Sequence, residues 1–283
     1  MEDTKYIVET IDLARHYGDG EKVRALDGVS MHVHHGELVA VMGPSGSGKS
    51  TLLHLIGALD RPTSGKVIVA GQDLDKVKNL DKFRNQTVGF VFQLHNLIPT
   101  LTALENVEVP LYEQRISAKE RHKRAKELLE LVGLGDRAKH LPGQLSGGQR
   151  QRVAVARSLV NYPALVLADE PTGEVDSKRA AEIIEMLHKL NRELGTTFII
   201  VTHDPAVARQ TSRIIELDSG RIIREHIVGD TFDEDWKELR SSALGQALLS
   251  GSQAELAVNG LTLYEDGQLT KAGKFLKDLL ENS

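Results

Sequence analysis

An α/β fold built on a mostly parallel, doubly wound sheet is what this sequence predicts, and three observations carry the prediction. Apolar runs of strand length recur at Leu38–Met42, Val166–Ala168 and Phe198–Val201. They are continuous rather than alternating, as expected of strands covered on both faces. Each leads directly into residues with chemistry: a glycine-rich loop at 43–48, the pair Asp169-Glu170, and Thr202-His203-Asp204. In an open parallel sheet ligands collect beyond the C-terminal ends of the strands, so the acids are expected beside the loop.

In chain order, Tyr6–Ile11 reads as a first strand. Val29-Ser-Met-His-Val-His-His-Gly36 alternates and ends in a turn, which puts His32, His34 and His35 on a solvated strand. With no acidic or cysteine partner nearby, these histidines predict no metal. Gly43-Pro-Ser-Gly-Ser-Gly-Lys49-Ser50-Thr51 then follows one strand and precedes the helical start Thr51–Ile56. Strand, glycine loop, helix is the setting of a phosphate-binding loop. Gly43, Gly46 and Gly48, with Ser45 and Ser47 between them, let backbone N–H groups converge on phosphates; Lys49 supplies a point charge, and the Ser50 hydroxyl can ligate Mg²⁺. The helix N-terminus at Ser50-Thr51 adds its dipole. This is a site for a nucleoside triphosphate. A dinucleotide fits poorly, because the glycines are not spaced G-x-G-x-x-G.

Val67–Val69 closes in an Ala70-Gly71 turn, so residues 6 to about 80 form an antiparallel β subdomain around the loop. Val88–Phe92 is strand-like and ends at Gln93. Ala118–Val132 is amphipathic: Leu128, Leu129 and Val132 share one side, and the basic run Lys119, Arg121, Lys123, Arg124 and Lys126 forms a solvated face. Leu145-Ser-Gly-Gly-Gln149 opens a second helix, over 150–160, with Val153, Val155, Ala156, Leu159 and Val160 on a largely apolar face. Ser146, Gly147 and Gly148 at its start make a second anion-binding N-terminus. Asp169 can hold Mg²⁺ and Glu170 can polarise an attacking water, since in-line phosphoryl transfer needs mainly positioning and charge neutralisation.

The phosphate loop, Gln93, Leu145–Gln149, Leu165–Glu170 and His203, in this order and spacing, resemble the ATP-binding cassette (ABC) ATPases over residues 5–228. The resemblance implies a P-loop ATPase with ATP and Mg²⁺ as cofactors and a helical subdomain over about 94–160. It implies that Gln93 reaches the metal or the water, that His203 contacts the γ-phosphate and Glu170, and that Tyr17 stacks on adenine. Asp176 matches an aspartate that crosses a dimer seam, although the family more often has leucine where Val175 stands. One chain does not need two phosphate cradles for one ATP. A head-to-tail dimer resolves this, with Ser146, Gly147, Gly148 and Gln149 of one copy closing on the nucleotide held by Lys49 of the other.

The stretch Val88–Val107 further resembles the lipoprotein-release, macrolide-export and cell-division branch. Members of that branch energise a membrane permease that docks just after Gln93, here near residues 94–107. The expected location is therefore cytoplasmic, on the inner face of the cell membrane. An apolar exposed groove around Leu94, Leu97, Ile98 and Leu101 is expected for that purpose. A soluble or regulatory ABC ATPase acting through its C-terminal extension is the alternative.

Composition narrows the surroundings. No run approaches the ~18–20 apolar residues of a membrane span. The N-terminus is acidic and has no apolar core of a signal peptide. Zero cysteines exclude disulfides and thiolate metal sites. Residues 229–283 hold ten acidic and five basic residues, a net of −5, whereas 1–228 balance at thirty each. The division expected is thus an ATPase domain at 1–228 and an acidic extension at 229–283. In the extension a helix over 239–249, a hairpin around Leu261–Tyr264 and a helix capped by Thr270 suggest a winged-helix fragment. Its acidity argues against nucleic acid as a partner.

Overall fold

The computed structural model describes residues 5–18, 23–173, 175, 177–228, 240–250, 256–258, 261–265, 268–271, 273, 274, 276 and 277. They belong to two compact units, Met1–Ile227 and Val228–Ser283. Asp176 and the turn pairs Asn259-Gly260 and Asp266-Gly267 lie outside the described residues.

The first unit runs β1 (Tyr6–Tyr17), β2 (Val23–His34), β3 (Leu38–Met42), α1 (Lys49–Ile56), β4 (Ser64–Val69), β5 (Gln72–Asp73), α2 (Leu80–Thr87), β6 (Val88–Val91), α3 (Ala103–Glu108), α4 (Ala118–Leu131), α5 (Gly147–Leu159), β7 (Leu165–Asp169), α6 (Ser177–Leu194), β8 (Thr197–Val201), α7 (Pro205–Ala208), β9 (Arg213–Asp218) and β10 (Arg221–Ile227). Six strands form one sheet in the order β10-β9-β3-β8-β7-β6. All neighbours are parallel except the β9–β10 hairpin at one edge. A second, antiparallel sheet has the order β2-β1-β4-β5.

The continuous apolar runs are explained by a core on each face of the parallel sheet. Val39, Val41, Leu165, Leu167, Ile199 and Val201 point one way, into a core shared with α1 and the antiparallel sheet. Leu38, Val166, Ala168, Phe198 and Ile200 point the other way, into a core closed by α3, α4, α5 and α6. With a side-chain period of two, every residue of such a strand is covered, and burying each large side chain contributes about 1.5–3 kcal/mol. β2 covers one face only: Val29, Met31 and Val33 are buried, while Ser30 and His34 are exposed. His32 and His34 pack their rings against Tyr6, at 4.4 and 5.0 Å between centroids.

Helix starts follow local chemistry. Thr102 caps α3 in a reciprocal box with Glu105, and Ser117 caps α4. Leu128, Leu129 and Val132 are buried as their spacing predicts. α6 and the β9–β10 hairpin are elements the motifs alone do not cover. Their signals are nonetheless present: buried Ala180, Ile183, Ile184, Leu187 and Leu190 recur at helical spacing in α6, and Ser219-Gly220 turns the hairpin with φ of 47° and 76°.

The second unit contains α8 (Ala243–Ser250) and a three-stranded antiparallel sheet of β11 (Leu256–Val258), β12 (Leu261–Glu265) and β13 (Gln268–Leu269). Leu248 and Leu263 form its small core with Leu244, Leu249, Leu269 and Leu276 around them. Thr270 accepts from the Gly273 N–H through its hydroxyl at 3.2 Å, opening the helical residues that follow.

Candidate nucleotide site

β3 delivers the chain into the glycine loop, and α1 begins at Lys49. Gly43 and Gly48 have no substitute there. A Cβ on Gly48, at φ +105°, would lie 2.3 Å from the Ala25 carbonyl oxygen, and one on Gly43 would lie 2.0 Å from that of Leu217. The loop is therefore pressed against its own scaffold, with no room for side chains on that side. Lys49 is only 7% exposed, and its Nζ donates to the Gly43 and Pro44 carbonyls at 2.8 Å each. Two carbonyl dipoles hold the ammonium and leave its charge in place, which suits it to an anion. Ser47 Oγ is buried in the same loop with no hydrogen-bond partner among the described residues. A phosphate oxygen is a fitting acceptor for it.

The two acids stand at the end of β7. Asp169 Oδ1 accepts from Ser50 Oγ at 3.3 Å, which joins a hydroxyl and a carboxylate as a pair of hard oxygen donors of the kind Mg²⁺ takes. Burial pushes the Asp169 carboxyl above its ordinary pKa, and the Ser50 hydrogen bond opposes the shift. A cation at this place would relieve that desolvation. Glu170 adopts φ +46°, a left-handed conformation unusual for a residue with a side chain. It is held there by its N–H donating to the Val201 carbonyl at 2.9 Å, and by its own carbonyl accepting from Gly173 N–H at 3.0 Å. Glu170 Oε1 lies 2.9 Å from His203 Nδ1, just beyond the end of β8. Backbone strain of this kind clusters where a side chain must be aimed.

β6 ends at Val91, so Gln93 stands two residues beyond the strand rather than at its tip. Its amide nitrogen would be 3.2 Å from a Cβ placed on Gly173, which puts Gln93 against the turn that follows the acids. Lys49, Ser50, Asp169, Glu170, His203 and Gln93 thus gather around the C-terminal ends of β3, β6, β7 and β8. Ser45 is exposed in the loop and Thr51 sits in the first turn of α1.

Tyr17 closes β1 with its ring exposed. Its hydroxyl donates to Asp60 Oδ2 at 2.7 Å, and the Arg15 guanidinium lies over the ring at 4.4 Å while its Nε donates to the same carboxylate at 2.9 Å. Arg15 and Asp60 are additions that sequence reasoning missed. The strand pattern offers Arg15 two positions before Tyr17, on the same face, but nothing marks Asp60.

The second glycine segment is elsewhere. Ser146 caps α5, accepting from Gln149 N–H at 3.3 Å and donating its own N–H to Gln149 Oε1 at 2.9 Å. Ser146, Gly148 and Gln149 line a pocket of about 220 Å³ with Arg152 and Arg179, and no phosphate-loop residue lines it. Within the first unit the glycine loop and this preformed helix N-terminus are separate.

The docking expectation is corrected in part. Leu94 and Ile98 are 71% and 41% exposed, but Leu97 and Leu101 are half-buried. Leu97 packs part of its side chain on the helical core. Beside this segment a groove of about 320 Å³ is floored by Phe90 and Phe92, stacked 5.6 Å apart, and rimmed by Asn85, Asn96, Pro110 and Arg157. Among the described residues no helix is long and apolar enough to cross a membrane.

The chain is similar to known proteins over most of its length. The family described as ABC transporter matches residues 26–173. An uncharacterised ABC transporter ATP-binding protein of Thermotoga maritima is 52% identical over 234 residues, covering 80% of this chain and 100% of that protein. The macrolide export ATP-binding/permease protein MacB of Hyphomonas neptunium is 48% identical over 225 residues, which is 78% of this chain and 35% of that protein's length. A solved dimeric, post-hydrolysis state of the ATP-binding cassette MJ0796, bound to ADP and Pi, matches with a TM-score of 0.72 at 47% identity and covers 79% of this chain and 99% of that chain.

Proposed function

The chain belongs to the ABC transporter family, and from that premise we propose that it binds and hydrolyses ATP to energise a membrane permease, working as a head-to-tail dimer on the inner face of the cell membrane. The observation that carries the reading is the gathering of Lys49, the Ser50–Asp169 pair and the Glu170–His203 pair at one end of one sheet. The loop N–H groups and Lys49 hold the phosphates. Ser50 and Asp169 would hold Mg²⁺, with Gln93 as a further ligand, and the ion would supply charge neutralisation to the transferring phosphoryl group. Glu170 orients the attacking water and draws on its proton, and His203, whose Nδ1 lies 2.9 Å from that carboxylate, fixes it and contacts the γ-phosphate. Tyr17, steadied by Arg15 and Asp60, offers its ring to adenine; such stacking contributes about 1–3 kcal/mol per base.

Ser146, Gly147, Gly148 and Gln149 act on the partner copy's γ-phosphate, and Asp176 is assigned to the seam between copies on its sequence position. This accounts for a capped, preformed helix N-terminus that the unit's own cradle does not use. A dimer closed by two nucleotides opens when they are hydrolysed, and that cycle is the mechanical stroke.

The permease docks on Leu94, Ile98 and the aromatic-floored groove. An exposed leucine beside an aromatic groove is the kind of surface a partner covers. Leu94→Glu should cut capture of the membrane partner in pull-downs from membranes by about tenfold, the size of one lost anchor contact, with nucleotide binding measured alongside as control. Undiminished capture would favour the soluble or regulatory alternative.

The acidic unit at 229–283 tunes the dimer and is not needed for the chemistry. A chain ending at Gly229 should still fold and bind ATP, with ATPase lowered at dilute protein and near normal at high concentration, because dimer affinity acts by mass action. A truncated form that is faster at every concentration would instead make the unit autoinhibitory, and unfolding on truncation would refute both versions.

A further inference from the structure

The segment after Gln93 is held by the helical layer through backbone contacts. His95 and Asn96 are consecutive left-handed residues, with φ of 62° and 48°, a conformation that persists only where neighbours impose it. Arg157, half-buried on α5, does so: one terminal nitrogen donates to the His95 carbonyl at 2.7 Å and the other to the Asn96 carbonyl at 2.6 Å. Burial lowers its pKa, and among the described residues no carboxylate pairs with it. A planar guanidinium bridging two adjacent carbonyls is an orienting clamp, and its fork geometry is what a lysine lacks. Asn106 of α3, 0% exposed, completes the attachment by accepting from Ile98 N–H at 2.7 Å and donating to the carbonyls of Ile98, Leu101 and Thr102 at 2.9–3.1 Å. α3 and α5 share one core. The exposed Leu94 and Ile98 therefore flank a stretch fastened to α5, the helix that Ser146 caps.

We propose that Arg157 is a positioning residue that couples the two ends of this arrangement: displacement of α5 when its N-terminus closes on nucleotide is delivered through the guanidinium to the 94–98 segment. The inference rests on the dimer reading above and adds the part through which the stroke leaves the subunit. Coupling of this kind needs an element that both sites bias, and α5 is contiguous with both.

The chain has no cysteine, so Leu94→Cys gives a unique attachment point for an environment-sensitive fluorophore. In the full-length Glu170→Gln protein, Mg-ATP should shift the probe's emission while light scattering records a doubling of mass. Adding Arg157→Ala should leave ATP affinity and the doubling in place and shrink the emission shift about fivefold, a typical coupling energy expressed as a ratio. Arg157→Lys, able to reach one carbonyl, should restore part of it. A merely structural role would lower dimerisation, ATP affinity and probe response together. A full shift in the alanine variant, or no shift in the Arg157-bearing dimer, would overturn the proposal. No mass doubling in the Arg157-bearing protein would instead remove the dimer reading. If the alanine variant does not fold, Arg157→Gln and Arg157→Lys decide the matter in the same assay, and a full shift in the glutamine variant counts against the clamp.

Discussion

Replacing Glu170 with glutamine is expected to lower ATP hydrolysis by about 10²- to 10⁴-fold, the range for loss of a positioned general base, while ATP binding persists. The groups assigned to ground-state phosphate are Lys49, buried and partnered by loop carbonyls, and the backbone of residues 43–48. Glutamine touches neither. It keeps the volume of Glu170 and can keep a hydrogen bond to His203 Nδ1, which lies 2.9 Å from the carboxylate. What it loses is the charge that draws on the water's proton. An effect on kcat without a matching loss of nucleotide affinity is the signature of a group that acts mainly in the transition state. Steady-state phosphate release measures it, and hydrolysis at the parental rate would make the acid assignment wrong.

Ser146→Arg should abolish hydrolysis almost as completely, by a different route. Ser146 caps α5 and lies in a pocket that no phosphate-loop residue lines, so the subunit's own cradle is untouched and nucleotide binding by the isolated chain should remain within about twofold. Arginine removes the cap, at a cost of about 0.5–2 kcal/mol to the helix, and puts a long side chain where the proposed dimer brings the partner's γ-phosphate. Normal turnover by a chain carrying arginine at position 146 would defeat the two-cradle argument. Equilibrium binding of a fluorescent ATP analogue separates this outcome from simple misfolding.

Much of this site was legible before any coordinates, for a physical reason. Strands covered on both faces write themselves as unbroken apolar runs, and β3, β7 and β8 each end in the residue types that phosphates and Mg²⁺ require, so Lys49, Ser50, Asp169, Glu170 and His203 could be placed together. Periodicity likewise marked α4, and the serine-glycine start marked α5. The remainder depends on contacts that no local pattern encodes. Arg15 and Asp60 are 45 residues apart and meet only because β1 and the turn after α1 are neighbours. Leu97 and Leu94 are the same residue type three positions apart, yet one packs on the helical core and the other faces solvent, because two left-handed residues between them redirect the chain. Arg157 reads in sequence as one more basic residue on an amphipathic helix. Only the fold shows that its partners are two carbonyls rather than an acid.

The central claim is that ATP is held between two copies of this chain, one offering Lys49 and the other Ser146. Light scattering on the full-length Glu170→Gln protein tests it most directly, with and without saturating Mg-ATP, and again with Ser146→Arg added. The account predicts twice the subunit mass only for the Glu170→Gln protein with Mg-ATP, and a single-subunit mass in the other conditions. A Glu170→Gln protein that binds Mg-ATP and stays at single-subunit mass, or a doubling that survives Ser146→Arg, would contradict it.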